Sequence, residues 1–181
     1  KKAVTIVQDL LTLARRGVVA RNIINLNDIV LDYLKSPEHE SVRLHHPNVK
    51  IYTQLQRSLI NIMGSPIHLT KTVMNLVLNA AEAIGDEGEI TISTENRHLD
   101  KNITAYEQIK QGDYTVLHVS DNGIGISEHD LNRIFEPFYT KKIMGKSGTG
   151  LGMAVVWGTI KDHNAFIDVK SEQGRGTCFS L

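Results

Sequence analysis

The sequence predicts an α+β sandwich, on three observations. Apolar residues recur at helical spacing in some segments, as in Val73, Leu76, Val77 and Ala80, and alternate with polar ones in others, as in Val49-Lys50-Ile51-Tyr52-Thr53. Taken in order, the segments read α, α, β, α, β, β, short α, α, β, β. Strands in adjacent pairs beside grouped helices are the pattern of a sheet covered on one face by helices. There are no internal repeats and no low-complexity segment.

Bulk properties bound the reading. A chain of 181 residues with 41% hydrophobic content can bury a core without disulfides and has room for one domain plus an appendage. Lys+Arg and Asp+Glu are both 20, so the charge balance points to neither nucleic acid nor a membrane surface as partner. The single cysteine, Cys178, rules out a disulfide framework and a cysteine-based zinc site, and fits a reducing compartment. No apolar run has the length of a membrane span, and no secretory leader pattern is present. The first residues are already amphipathic and the last, GTCFSL, fall inside a strand pattern, so the expectation is a piece of a longer protein.

Each element has its own local reason. Val4, Val7, Leu10, Leu11 and Ala14 mark a first helix, stopped by Arg15-Arg16-Gly17. Asn25-Leu26-Asn27-Asp28 caps a second helix over 29–35. The polar stretch 37–47 reads as a loop, and 49–53 as a strand. Ser65-Pro66 opens a long helix that lasts until Gly85. Strands are expected over 89–94 and 113–120, separated by a polar excursion over 95–112. A short helix over 128–134 and an irregular stretch over 135–147 follow. A helix over 150–163 and strands over 165–171 and 177–181, joined by the turn EQGRG, complete the chain.

Four stretches carry chemistry. Asn75 and Asn79, four residues apart, share one helix face beside an apolar stripe. An isolated pair of this kind is ordinary, but an amide oxygen also suits a hard cation such as magnesium beside phosphate oxygens. Asp121-Asn122-Gly123-Ile124-Gly125-Ile126 follows a strand. It has the form of an Asp-Gly turn, yet its apolar side chains suggest a pocket lining, where an ionised carboxylate accepts from an exocyclic amine. Phe135-Glu136-Pro137-Phe138-Tyr139-Thr140-Lys141-Lys142 sets three aromatics beside two lysines, an anchored loop or a lid reaching phosphates. The run GKSGTGLGMAVV, beginning at Gly145, is not a P-loop, which needs glycine five residues earlier, where Thr140 stands. Its second half sets glycines at a helix start, where backbone N–H groups and the helix dipole favour an anion.

The four motifs together, in this order, resemble the ATP-binding catalytic domain of sensor histidine kinases, whose fold is shared with DNA gyrase B, MutL and heat-shock chaperones. MNLVLNAAEAI is similar to the N box, DNGIGI to the G1 box, IFEPFYTKK to the F box and SGTGLGMAVV to the G2 box. The resemblance implies a two-layer α/β sandwich: a mixed, mostly antiparallel sheet backed by three helices (the Bergerat fold), preceded by a remnant of a dimerisation helix. Domain boundaries follow as 1–24 for the end of the dimerisation hairpin with its linker, and 25–181 for the catalytic domain.

Residue roles follow from the resemblance alone. It implies that Asn79 binds Mg²⁺ and that Asn75 contacts the phosphates or the magnesium shell. Asp121 would take the adenine amine, with Gly123 and Gly125 letting the loop pass close to the base and Thr177 beside the aspartate. Gly148, Thr149, Gly150, Leu151 and Gly152 would hold the phosphates. Lys141 and Lys142, with Lys146, would neutralise phosphate charge. Glu82, Ala83, Ile126 and Phe138 complete the implied nucleotide site. The implied partners are ATP, the protein's own phosphoacceptor domain in a homodimer, and a response regulator receiver domain. The implied location is cytoplasmic, either free or as the cytoplasmic part of a membrane-anchored sensor, with no nucleic acid and no membrane contact by this segment.

Two departures from the family pattern stand out. Many relatives carry Lys or Arg three residues after the magnesium asparagine, where this chain has Glu82. Ala165 stands where relatives often have glycine, a difference expected to be one of local backbone only. In the gyrase and MutL relatives the residue four before the magnesium asparagine is a water-activating glutamate, and here it is Asn75, which cannot take a proton. That favours phosphoryl transfer by positioning and charge. None of the eight histidines (His39, His45, His46, His68, His98, His118, His129, His163) lies in an H-E-x-x-N-P context, so the acceptor is expected on a separate helix. A stand-alone ATPase and a nucleotide-sensing module without transfer are the alternatives.

Overall fold

The computed structural model describes residues 21–140 and 149–181. The first helix expected from the sequence, and with it the dimerisation-helix remnant, lies outside the described residues. Described elements, in chain order, are β1 (Asn22–Ile24), α1 (Leu26–Leu34), α2 (Pro37–His45), β2 (Val49–Leu55), β3 (Ile62–Gly64), α3 (Pro66–Ile84) and β4 (Gly88–Leu99). They continue with β5 (Ile103–Thr104), β6 (Gln108–Ile109), β7 (Gly112–Asp121), α4 (Glu128–Leu131), α5 (Gly152–Asp162), β8 (Asp168–Glu172) and β9 (Gly176–Ser180).

Five strands form the main sheet in the order β2-β4-β7-β9-β8. Only β2 and β4 run parallel, and α3 lies in the crossover that parallel pairing requires. The remaining pairs are antiparallel, the longest being β4 with β7, from Ile90 opposite Asp121 to Leu99 opposite Gly112. This is the expected mixed, mostly antiparallel sheet, with α1, α3 and α5 contributing to its core.

The long helix forms for readable reasons. Ser65 caps it, accepting from the His68 N–H, and Pro66 occupies its first turn. Leu69, Val73, Leu76, Val77, Ala80 and Ala81 make one apolar stripe, all buried. That stripe meets Leu26, Ile29 and Val30 of α1, Ile90 and Ile92 of β4, Val119 of β7, and Val156 and Ile160 of α5. Full burial of each large aliphatic side chain contributes about 2 kcal/mol. The helix stops at Gly85, whose φ of 77° suits glycine.

The structure corrects three readings. Residues 37–47 are not a loop but contain α2, capped by Ser36, with Pro37 at its start, Glu38 and Glu40 in the first turn and Arg43 and His45 in the last. Only Val42 is buried, so caps and charge order rather than an apolar stripe mark this helix. The excursion over 95–112 is mostly strand: β4 runs on to Leu99, and β5 pairs with β6 in a small hairpin. Its outer half is solvated on both faces, which removes the alternation that marks a half-buried strand. Residues 22–24, read from the sequence as linker, form β1 and pair antiparallel with β3, Ile23 opposite Met63. Asn164 takes the left-handed conformation (φ 52°) after α5, its N–H donating to Lys161, while the Ala165 N–H donates to Ile160.

Candidate functional site

Four tertiary contacts bring the motifs together. The first joins α3 to α5. Asn75 is buried, and its amide nitrogen donates to the Gly152 carbonyl at 3.1 Å. Asn79, one turn further along α3, and Glu82 and Ala83 are partly exposed.

The second contact joins the end of α3 to the loop after β7. The Ile124 N–H donates to the Ala83 carbonyl at 3.0 Å, satisfying one of the carbonyls a helix end leaves open. A Cβ on Gly123 would stand 2.6 Å from that same carbonyl, so no larger residue fits without moving the helix end. Gly125 has φ 67°, and a Cβ there would meet the Glu172 carbonyl at 2.2 Å. The two glycines of the motif therefore press the loop against α3 on one side and the β8–β9 turn on the other.

The third contact is at Asp121, the last residue of β7, which lies opposite Thr177 of β9. Its carboxylate accepts from the Gly123 N–H at 2.8 Å and from the Thr177 backbone N–H. Burial pushes its pKa above the ordinary carboxyl value, against the lowering effect of those two amides. Thr177 is buried and bonded through Oγ1 to Ser171 Oγ at 2.9 Å. Ser171 Oγ in turn donates to the Gly176 carbonyl (3.0 Å) and accepts from the Ile126 N–H (2.7 Å). The sequence does not point to Ser171. It is one polar residue in a short strand, and nothing local marks it as the joint between Ile126 and Thr177.

The fourth contact joins the aromatic motif to the glycine motif. The Phe138 N–H donates to the Gly150 carbonyl at 2.9 Å, and both residues have positive φ, 65° and 69°. Phe138 is exposed at 62%, whereas Phe135 is buried against Trp157 (4.9 Å between ring centroids) and Tyr106 (5.1 Å). Tyr139 donates to the buried Asp130 at 2.7 Å, and Arg133 lies over the Tyr139 ring. The stretch 128–140 is thus anchored by an aromatic cluster and a buried carboxylate. Leu151 is fully buried, its N–H bonded to Thr149 Oγ1 at 3.2 Å. The helix that follows begins with no side-chain cap, leaving first-turn N–H groups able to bind an anion.

Lys141, Lys142, Lys146 and Gly148 lie outside the described residues. The other sequence-predicted residues fall on α3, the β7 end with its loop, the stretch leading into α5 and its first residue, and β9, with Phe138 on the segment before residue 141. A cleft of about 300 Å³ beside Ile23, Asp28 and Pro66 holds none of them. Among the described residues no group of three His, Cys, Asp or Glu side chains is placed to hold a metal ion. Nor is any described helix long and apolar enough to cross a membrane.

Comparison with known proteins bears on the fold and the family. Residues 64–181 match the profile of the histidine kinase-, DNA gyrase B- and HSP90-like ATPase family. The chain is 33% identical over 181 residues to the sensor kinase CckA of Brucella abortus, covering 99% of this chain and 19% of that protein. It therefore spans about a fifth of that relative's length. The fold is that of full-length ShkA in complex with AMPPNP (TM-score 0.73, 20% identity, 99% of this chain and 35% of that one). It is equally that of the histidine kinase ThkA in complex with the response regulator protein TrrA (TM-score 0.70, 21% identity, 99% of this chain and 46% of that one). From the motifs, the sheet that carries them and the match over 64–181, the chain belongs to the histidine kinase-, DNA gyrase B- and HSP90-like ATPase family.

Proposed function

We propose that this chain is the ATP-binding catalytic part of a two-component sensor histidine kinase. It passes the γ-phosphoryl group of ATP to a histidine on a dimerisation helix, for relay to a response regulator. The similarity to CckA supports the kinase reading, and the ThkA–TrrA complex supports a receiver domain as the eventual partner.

In this reading Asp121 accepts from the adenine amine, its carboxylate held in place by the Gly123 and Thr177 amides. The uncapped start of α5, with Gly150 and Leu151 before it, receives the phosphates. The amide oxygens on α3 are of a kind that suits a hard cation shared with phosphate oxygens. Asn79 would hold Mg²⁺, which neutralises phosphate charge and aligns the γ-phosphoryl group for in-line transfer when bound. The resemblance assigns Lys141, Lys142 and Lys146 the neutralising of phosphate charge.

One observation carries the choice of transfer over hydrolysis. Asn75 stands where the hydrolytic relatives carry a glutamate, and its amide is engaged by the Gly152 carbonyl. An amide there organises two helices and cannot take a proton from water. The first test is calorimetric titration with ATP and Mg²⁺. Saturable one-to-one binding that weakens when Mg²⁺ is withheld is expected, and no binding at millimolar nucleotide would overturn the reading.

A further inference from the structure

Besides the tie between Asn75, midway along α3, and Gly152, the start of α3 is joined to the end of α5. The backbone N–H of Ser65, a residue 1% exposed, donates to His163 Nε2 at 2.9 Å. On the far side of the ring His163 Nδ1 meets the Thr159 carbonyl at 2.7 Å. A carbonyl can only accept and a backbone N–H can only donate. The imidazole must therefore be neutral, with its proton on Nδ1 and a lone pair on Nε2.

The spacing of the two ties matters. From Ser65 to Asn75 is ten residues of α3, about 15 Å along its axis. From Gly152 to His163 is eleven residues of α5, about 16 Å. The helices lie antiparallel and are pinned at both ends of matched lengths. One pin is at the glycine motif and the other at the end remote from it.

We propose that His163 is a positioning residue: by pinning the end of α5 to the start of α3 it fixes the register that sets the α5 N-terminus against Asn75. This rests on the reading of that end as the ATP phosphate site. In the sequence His163 is one of eight ordinary histidines, and only the fold brings it to Ser65.

A structural pin made by any packed side chain would be indifferent to pH, whereas this one needs the neutral ring. Protonation of Nε2 sets two donors against each other and releases the Ser65 N–H into a buried site with no acceptor. Among the described residues, His68 of α3 lies within electrostatic reach of His163, with Asp162 and Lys71 also close to His68, and Arg21 donates to the Asp162 carbonyl. The nearest strand, β3, contributes Gly64, without a titratable side chain.

The test uses the 181-residue chain and a fluorescent ATP analogue with Mg²⁺, with affinity read at a series of pH values between about 8 and about 5.5. His163→Ala is expected to bind about tenfold more weakly than wild type at the upper pH, the effect of one buried donor left unpaired. His163→Gln can present its amide oxygen to Ser65. It is expected to keep wild-type affinity within about threefold and to lose the part of the wild-type pH dependence that the imidazole carries. His68→Gln is expected to follow wild type, which separates the neighbouring imidazole. Circular dichroism of each variant checks folding. Imidazole ¹⁵N shifts reporting the Nδ1–H tautomer, and slow Ser65 amide exchange that is lost in His163→Ala, are expected without nucleotide. An Nε2–H tautomer, an unprotected Ser65 amide, or a folded His163→Ala variant binding like wild type would overturn the proposal. A wild type that binds no nucleotide would overturn the ATP reading on which it rests. The Ser65 amide tells that failure apart, since its protection needs no ligand.

Discussion

The amide nitrogen of Asn75 lies 3.1 Å from the carbonyl oxygen of Gly152 and donates to it, joining the middle of α3 to the first turn of α5. Asn75→Asp would set a carboxylate against that carbonyl in a buried place. It is expected to cost about 1–3 kcal/mol of stability, against a smaller loss for Asn75→Ser. Urea unfolding of the two variants checks this, and equal stabilities would mean that the contact contributes nothing.

Asn79 is partly exposed, and its predicted role lies in the ligand rather than the fold. Asn79→Ala is expected to shift unfolding by no more than about 0.5 kcal/mol. The magnesium-dependent part of ATP affinity should vanish in the same variant. Titration with and without Mg²⁺ decides: an unchanged magnesium effect removes Asn79 from the metal site.

Asp121 links stability and binding with opposite signs. Burial outweighs the two amide bonds, so the folded carboxyl holds its proton more tightly than the unfolded one. Its contribution to stability is therefore full below the unfolded carboxyl pKa and is lost as pH rises through the raised native value. At neutral pH the ionised group works against folding. Asp121→Asn is expected to unfold at the same or a higher temperature than wild type near pH 7, while nucleotide affinity falls at least about tenfold. A variant that is less stable and still binds ATP would contradict both halves.

Two glycines separate steric crowding from backbone strain. Gly125 and Gly174 both have positive φ, 67° and 81°. A Cβ at Gly125 collides with the Glu172 carbonyl, whereas at Gly174 it meets nothing within 4 Å. Gly174→Ala should cost about 1 kcal/mol, the strain alone. Gly125→Ala should cost more and also weaken ATP binding, because the loop carrying Gly123 must move. Thermal unfolding of the pair checks the ranking.

The parts of this molecule that are legible in the sequence are those where one residue type answers a local demand. Asp121, Gly123 and Gly125 stand out because a carboxylate and two glycines in five residues serve no ordinary strand end. The long helix announces itself by Ser65-Pro66, its apolar stripe and Gly85. What stays hidden depends on partners distant in sequence. Ser171 matters because Thr177 and Ile126 come to it, and His163 because Ser65 does. The helix α2 escapes a reading by periodicity because it buries little more than Val42, and only its caps speak. The strand β1 is three residues long, too short for any alternation to register.

The kinase reading is decided by mixing this chain with [γ-³²P]ATP, Mg²⁺ and a separately produced dimeric hairpin bearing a phosphoacceptor histidine, the partner that the proposed function requires. Acid-labile label on the hairpin, lost when its histidine is replaced, is the result predicted. Steady release of phosphate with no label on the hairpin would contradict it and make the chain an ATPase despite Asn75.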